Sequence, residues 1–181
     1  MKRAVLSAAV PLLAIATAAS FTSTAGANER DKKFFEQVEG QWAGPGEIVA
    51  GKYKGTKFNC SFAGNSADDK VGLTFDGGCR VGVFMQKMSA KIEKGRAGYK
   101  GTFMDGAAGK GLNVTAGNVV GRKVILSLNR NQLNGSMQAR LADDNTMTVT
   151  VSVKVDQQMV PVIGMNLKRV DGGSVGAIAQ Q

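Results

Sequence analysis

Side chains that could do covalent or acid–base chemistry are scarce in this sequence, and this scarcity limits its function more than any motif does. The 181 residues contain two cysteines and no histidine. Histidine is the base of Ser–His–Asp and Cys–His nucleophiles and a frequent ligand of zinc and haem. Its absence argues against hydrolases of these classes and against His-ligated metal or haem sites, and we expect no cofactor.

The carboxylates show no pattern typical of catalysis or metal binding. Most lie in turn-like segments or on the polar phase of alternating stretches, and no pair is placed for general acid and base work. Asp68-Asp69 and Asp143-Asp144-Asn145 lack the ligand spacing of a calcium loop, so turn formation explains them. Glu47 follows the tryptophan of the first predicted strand and is placed near the mouth of the predicted barrel, where a catalytic role is the alternative to a structural one. We predict that the protein is not an enzyme.

The excess of basic residues is the one feature of the sequence that indicates a binding partner. The formal net charge is +9, and between residues 52 and 110 eleven basic residues stand against five acidic ones. Two similar stretches, Tyr53-Lys54-Gly55-Thr56 and Tyr99-Lys100-Gly101-Thr102, open strand-like runs. If they lie at one end of the molecule, they form a positive rim that attracts anionic head groups or an envelope polymer; a solvated basic surface is the alternative. The predicted rim consists of Lys52, Tyr53, Lys54, Lys57, Lys94, Arg96, Tyr99 and Lys100.

The first 27 residues have the layout of a secretory signal peptide. Met1-Lys2-Arg3 is a basic start, residues 4–19 are apolar and rich in alanine, and Ala25-Gly26-Ala27 is a typical cleavage signal. We therefore expect a mature chain that begins near Asn28, is periplasmic or secreted, and contains no transmembrane span. Export, and the lack of the aromatic–basic interleaving typical of nucleic-acid-binding surfaces, argue against nucleic acid as a partner.

The two cysteines are expected to pair with each other. Export brings them into an oxidising compartment, where they allow one intramolecular disulfide, Cys60–Cys79. A redox-active pair is the alternative, but the C-x-x-C spacing is absent. In a plain meander the two residues fall two strands apart, about 10 Å, whereas a disulfide needs Cα atoms within about 7 Å. The bridge therefore predicts that segment 71–75 is bent or displaced near Gly77-Gly78.

Most of the residues discussed above are predicted to lie on or between β-strands. Beyond Gly40 the dominant hydrophobic period is two, most clearly where Met147, Val149, Val151 and Val153 alternate with polar residues. Turn signals separate such runs at intervals of about 8–12 residues; they include Gly64-Asn65, Asp76-Gly77-Gly78, Gly117-Asn118 and Asn134-Gly135. We predict an all-β antiparallel barrel or sandwich with an apolar interior. An outer-membrane barrel, whose apolar face points into lipid, is the alternative.

One short helix precedes the strands. Phe34, Phe35 and Val38 fall on one helical face, acidic residues lie in the first turn, and Gly40 is a natural stop. We predict that this helix packs on the strand body, with partner binding as the alternative. The predicted organisation is a signal peptide at 1–27, a helix at 28–40, a β-barrel domain at 41–170 and a flexible tail at 171–181.

The junction between helix and first strand resembles the opening of calycin barrels, the lipocalin and nitrobindin-like group. The residues that carry the resemblance are Gly40-x-Trp42-x-Gly44-x-Gly46-Glu47, and the stretch from Met165 to Arg169 is similar to the last strand of such barrels. The resemblance implies a barrel of 8–10 strands that holds a small apolar ligand or haem. It also implies a floor closed by Trp42, with Lys168 or Arg169 stacked near its ring. The histidine that ligates haem in nitrobindin-like proteins has no counterpart here.

These observations predict an exported barrel that binds a small apolar or amphipathic envelope molecule, such as a lipid, with the basic rim favouring an anionic head. The alternative is a scaffold, an envelope interaction protein that uses its basic outer surface and has a packed core. The internal cavity discriminates between the two, because a ligand site usually occupies about 300 Å³ or more.

Overall fold

The computed structural model describes residues 24–66, 69–106 and 111–170, and in these ranges one helix is followed by ten strands. Helix α1 spans Thr24–Val38. The strands are β1 (Gly40–Ile48), β2 (Lys57–Ser66), β3 (Gly72–Val81), β4 (Phe84–Gly95), β5 (Gly98–Met104), β6 (Leu112–Val120), β7 (Lys123–Arg130), β8 (Leu133–Asp143), β9 (Thr146–Val155) and β10 (Gln158–Arg169).

The boundaries of the predicted terminal segments are only partly within these ranges. Residues 1–23 of the predicted signal peptide and the predicted tail at 171–181 lie outside the described residues. Helix α1 begins at Thr24, four residues before the predicted start, because a cleavage signal marks where a chain is cut and not where a helix begins. The helix ends just before Gly40, whose φ of 103° suits the predicted glycine stop.

The ten strands form one closed antiparallel barrel in which each strand pairs with its neighbours in sequence. The cylinder closes where β1 pairs with β10, a seam that includes the register pair Trp42 and Arg169. This closure confirms the all-β barrel. Because connections alternate between the two ends, we call the end with α1 and the β2–β3, β4–β5, β6–β7 and β8–β9 connections the lower end. The upper end carries the β1–β2, β3–β4, β5–β6, β7–β8 and β9–β10 connections.

The alternation of side chains places the core inside the barrel. Along β7, Val124, Leu126 and Leu128 are buried, whereas Ile125 and Ser127 between them face outward. A strand directs successive side chains to opposite faces, so the same period appears on most strands. The apolar phase therefore points inward, the opposite of the arrangement in an outer-membrane barrel.

The lower end is closed by side chains from the β1–β10 seam that bind the end of α1. Trp42 is fully buried, and its Nε1 donates a hydrogen bond of 2.9 Å to the carbonyl of Val38. The guanidinium of Arg169 lies 4.5 Å from the Trp42 ring centroid and donates to the carbonyls of Gln37, at 2.7 Å, and Glu39. A helix leaves its last carbonyls without intrahelical partners. These two side chains supply donors to the carbonyls of Gln37 and Val38, the last two helical residues, and to that of Glu39 directly after them.

Two more residues, Gly40 and Lys168, lie next to the contact between Trp42 and Arg169. An ideal Cβ at Gly40 would lie 2.6 Å from Nη1 of Arg169, so a larger residue would displace the guanidinium. Of the two predicted basic partners of the tryptophan, Arg169 is the one that stacks on it. Lys168 points outward and donates to Oγ1 of Thr146 at 2.7 Å.

The predicted disulfide between Cys60 and Cys79 is present, but the expected distortion of segment 71–75 is wrong. The two cysteines are register partners on adjacent strands, with Cα atoms 4.0 Å apart. Gly77-Gly78 is not a turn and lies inside β3. Glycine is required there by close backbone approach, since an ideal Cβ at Gly77 would lie 2.1 Å from the carbonyl oxygen of Ser61.

Three more predicted turns, at Gly64-Asn65, Gly117-Asn118 and Asn134-Gly135, also lie inside strands. Four of the hairpins turn instead at two central residues, the first of which has a φ of 54–58°. Such a positive φ is the mark of a tight hairpin turn, and glycine, asparagine and aspartate adopt it most readily. These turns are Gly82-Val83, Gly121-Arg122, Asn131-Gln132 and Asp156-Gln157.

We expect Arg169→Met to lower the free energy of unfolding by about 3 kcal/mol, because it removes the contact with Trp42 and two charged hydrogen bonds to helix carbonyls. Lys168→Met makes the same charge change one residue away on the outer surface, and we expect less than about 0.5 kcal/mol. Denaturant unfolding followed by Trp42 fluorescence measures both. Equal losses in the two variants would show that Arg169 does not anchor α1.

Candidate functional site

The barrel encloses a cavity of about 80 Å³ next to α1. Phe34, Phe35 and Val38 of α1 form one wall, and the other walls come from eight of the ten strands. Apart from Ser89, every side chain in the wall is apolar. No titratable side chain of the described residues lines this space, so it can bind by shape and apolar contact but holds no group for acid–base chemistry.

Four methionines give the cavity wall a flexible part. Met88, Met137, Met147 and Met165 line the space from β4, β8, β9 and β10. Methionine has three rotatable side-chain bonds and a polarizable sulfur, so it repacks around shapes that branched residues reject. The methionines therefore make this part of the wall adaptable, although the wall does not define its occupant.

The volume of the cavity limits what fits without rearrangement. Drug-sized ligands occupy sites of about 300–1,000 Å³, and an engineered apolar cavity of about 150 Å³ binds benzene or xenon. At about 80 Å³, the cavity is below both values. A lipid chain would enter only if methionine side chains moved, whereas a molecule of a few heavy atoms could enter with small adjustments.

A buried polar cluster lies beside the cavity but does not line it. Asp31 of α1 is 7% exposed and accepts hydrogen bonds from Lys94 Nζ at 2.6 Å and from Tyr99 Oη at 2.7 Å. The ring of Tyr99 also packs against Phe35, with centroids 5.8 Å apart. Burial, the hydrogen bond to Asp31 and the charge of that carboxylate raise the pKa of Tyr99 above its ordinary value. The cluster ties α1 to the β4–β5 hairpin.

The predicted rim does not form one surface. Lys52, Tyr53 and Lys54 lie in the β1–β2 connection at the upper end, and Lys57 begins β2 at the same end. The β4–β5 connection is three connections further along, and in an antiparallel barrel that places it at the opposite end. The one-ended rim is therefore wrong. The rim residues found at the lower end are Lys94, Arg96, Tyr99 and Lys100.

The two tyrosines of the repeated stretch have different environments. Tyr53 is 63% exposed and packs its ring near Lys52 Nζ, 5.4 Å from the centroid, whereas Tyr99 is 3% exposed and bonded to Asp31. The repeated stretch therefore reflects similar local sequence near the starts of β2 and β5, and its two copies do not form a shared surface.

Several charges at the lower end form ion pairs. Lys94 pairs with Asp31 at 2.6 Å and Arg122 with Asp144 at 2.8 Å. Glu93 lies 3.2 Å from Lys91 and 3.9 Å from Lys70; these cations, first of all the hydrogen bond from Lys91, hold the pKa of Glu93 below its ordinary value.

At the upper end, within the described ranges, six cations have no carboxylate within 4.0 Å: Lys52, Lys54, Lys57, Arg80, Lys87 and Lys154. The sequence interpretation missed Arg80, Lys87 and Lys154 as members of this group, because their place at one end depends on where the strands turn.

In the part of the chain that the structure describes, no three side chains of the Cys, Asp and Glu type come together as a metal-binding group. No helix there is long and apolar enough to cross a membrane.

Among solved structures with a similar fold is the crystal structure of Rv2717c from M. tuberculosis. It superimposes with a TM-score of 0.58 at 14% sequence identity, over 78% of this chain and 98% of that chain. No family model and no curated protein matches the sequence. At this identity the similarity shows a shared barrel fold and nothing of function, and the calycin resemblance stays a prediction.

The environment of Tyr99 can be tested by alkaline titration in a Tyr53→Phe background, where Tyr99 is the one remaining tyrosine. Because its pKa is raised, we expect no phenolate absorbance in the folded protein as the pH passes 10.0, and ordinary ionisation in denaturant. A raised folded-state pKa adds stability that is complete below the unfolded value and is lost as the pH rises above it. Stability should therefore fall above about pH 10, and less steeply in Tyr99→Phe. Ordinary ionisation of Tyr99 in the folded protein would contradict the assignment.

Proposed function

We propose that this barrel binds a small apolar molecule in its interior, in an extracytoplasmic compartment. The observation that carries the proposal is the cavity, which is walled by α1 and eight strands with apolar side chains. A ligand with polar groups would lose its hydrogen bonds to water and find no partners in this wall, which costs free energy. The wall therefore favours a hydrocarbon-like molecule or an apolar gas.

Two features support the extracytoplasmic location. The first is the signal-peptide pattern of residues 1–27, with its basic start, apolar run and small-residue cleavage signal. The second is the Cys60–Cys79 disulfide, which is typical of exported proteins because cytosolic reductants keep thiols reduced.

The proposed activity is binding, not catalysis. The described side chains around the cavity include no acid, base or nucleophile that could act on a bound molecule, apart from the hydroxyl of Ser89, which has no base beside it in the wall. The calycin resemblance at Gly40 to Glu47 supports the same class of activity, because small-ligand binding is what that resemblance implies. The ligand is expected to lack an anionic head inside the cavity, since no cation lines it.

A second candidate is an envelope interaction protein that works through its outer surface. The specific observation in its favour is the cavity volume, about 80 Å³, which is several times smaller than a usual ligand site. On this account the methionines only fill the core, and their flexibility has no functional role.

Methyl NMR of the methionines separates the two candidates. Met88, Met137, Met147 and Met165 line the cavity, whereas Met85, Met104 and Met159 are 42–52% exposed and serve as internal controls. We expect xenon or benzene to shift the four cavity methyl resonances in a saturable manner and the three exposed ones little. Equal, non-saturable shifts in both groups would contradict a specific internal site and favour the interaction protein.

A pair of matched variants tests the location of binding. Ala139 lines the cavity, so Ala139→Leu adds carbon atoms to that space and should abolish the saturable shifts. Ala142 is exposed on the same strand, and Ala142→Leu should leave them unchanged. The thermal unfolding of each variant is measured alongside, so that loss of binding is not mistaken for loss of fold.

A further inference from the structure

Exposed apolar side chains are concentrated at one end of the barrel. Of the twelve large hydrophobic residues that are exposed in the described part, ten lie in the upper connections or at the upper ends of strands. The remaining two are Val120 at the lower end and Ile125 on the side. Single exposed hydrophobic residues are ordinary, but a group at one end of a molecule indicates an interaction surface.

The most exposed of these residues form the tip of the β3–β4 hairpin. Val83 is 84% exposed and Phe84 78% exposed, on either side of the bond that leads from the turn into β4. The pairing of β4 with β5 begins only at Ser89, so the first residues of β4 extend past that neighbour. The tip therefore presents a phenyl ring and an isopropyl group to the surroundings, where water is an unfavourable solvent for both.

Cations surround these apolar residues. The β9–β10, β1–β2 and β3–β4 connections are consecutive around the closed barrel. Residues 151–162, 46–58 and 79–88, which contain them, include six basic residues and two acidic ones, Glu47 and Asp156. The six basic residues are Lys52, Lys54, Lys57, Arg80, Lys87 and Lys154.

The spacing along β4 matches the depth of a membrane interface. Lys87 follows Phe84 by three residues of extended strand, about 10 Å at about 3.3 Å per residue. Peripheral membrane proteins bury their apolar faces about 5–10 Å into the boundary between headgroups and acyl chains. If Phe84 reaches that boundary, the Lys87 ammonium lies at the level of the phosphates.

We propose that the upper end docks on the surface of a phospholipid bilayer that contains anionic lipids. The docking face consists of the six apolar residues Val81, Val83, Phe84, Met85, Val155 and Met159 together with the six cations named above. A bilayer is the occupant that fits best, because it accepts apolar tips of irregular shape and offers phosphates to cations that have no carboxylate partner. The proposal is independent of the cavity ligand, since it needs the outer surface alone.

Sedimentation with vesicles tests the docking face in the full-length protein. We expect binding to vesicles of phosphatidylcholine with phosphatidylglycerol, weaker binding as salt screens the cations, and little binding to phosphatidylcholine alone. Val83→Ser combined with Phe84→Ser should reduce binding at least about tenfold, because two interfacial side chains are lost. Val120→Ser removes an exposed valine at the lower end and should change binding less than about twofold.

Charge variants separate local contacts from net charge. Lys54→Glu combined with Lys154→Glu should reduce binding at least about tenfold, because two attractions to the lipid phosphates are replaced by repulsions. Lys100→Glu combined with Lys168→Glu makes the same change in net charge with exposed residues of the lower end, and should have a much smaller effect.

Three results would overturn the proposal. The first is no binding to anionic vesicles at low salt, and the second is equal binding by the tip variant and the native protein. The third is a dimer in solution that disappears in the tip variant, which would assign this face to a second copy of the chain. Circular dichroism of every variant shows whether the fold is intact, and the substituted side chains are exposed enough for us to expect that it is.

Discussion

The contact between Trp42 and Arg169 is the interaction on which the rest of the structure depends. The two residues are register partners across the β1–β10 seam, so their side chains bind the end of α1 at the place where backbone pairing closes the barrel. With α1 held in place, its phenylalanines form a wall of the cavity. If the seam opened, β1 and β10 would become sheet edges with unpaired backbone groups, which are prone to aggregate.

The two ends of the barrel therefore have different roles. The lower end is held by the seam, by the buried bonds of Asp31 to Lys94 and Tyr99, and by ion pairs on the hairpins around it. The upper end has exposed apolar tips and cations without carboxylate partners in the described part. The contacts at the lower end stabilise the fold, whereas the exposed apolar and basic groups at the upper end are suited to interaction. Binding inside the barrel and docking at its upper end are compatible, because they use different side chains.

Sequence reasoning predicted the features that depend on local pattern and missed those that depend on topology. The period of two predicted the inward phase of the strands, and the expectation of export together with two cysteines predicted the Cys60–Cys79 bridge. Four turns that were predicted from glycine-containing dipeptides lie inside strands instead. A glycine such as Gly77 allows close packing of strands as readily as it allows a turn. The prediction of a one-ended rim was wrong for the same reason. The end of the barrel at which a residue lies depends on the number of strands that precede it, and one misplaced turn changes that number. The cavity volume follows from side-chain packing, which no pattern reports.

Hydrogen exchange of the native protein with and without anionic vesicles tests the two-ended account most directly. It follows the backbone amides of both ends in one experiment and needs no substitution. The account predicts that vesicles slow exchange at the upper connections, residues 49–56, 81–85 and 155–159. It also predicts unchanged exchange at the lower connections, residues 95–98 and 121–122. Protection at the lower end, or no protection at either end under conditions where the protein binds vesicles, would contradict the account.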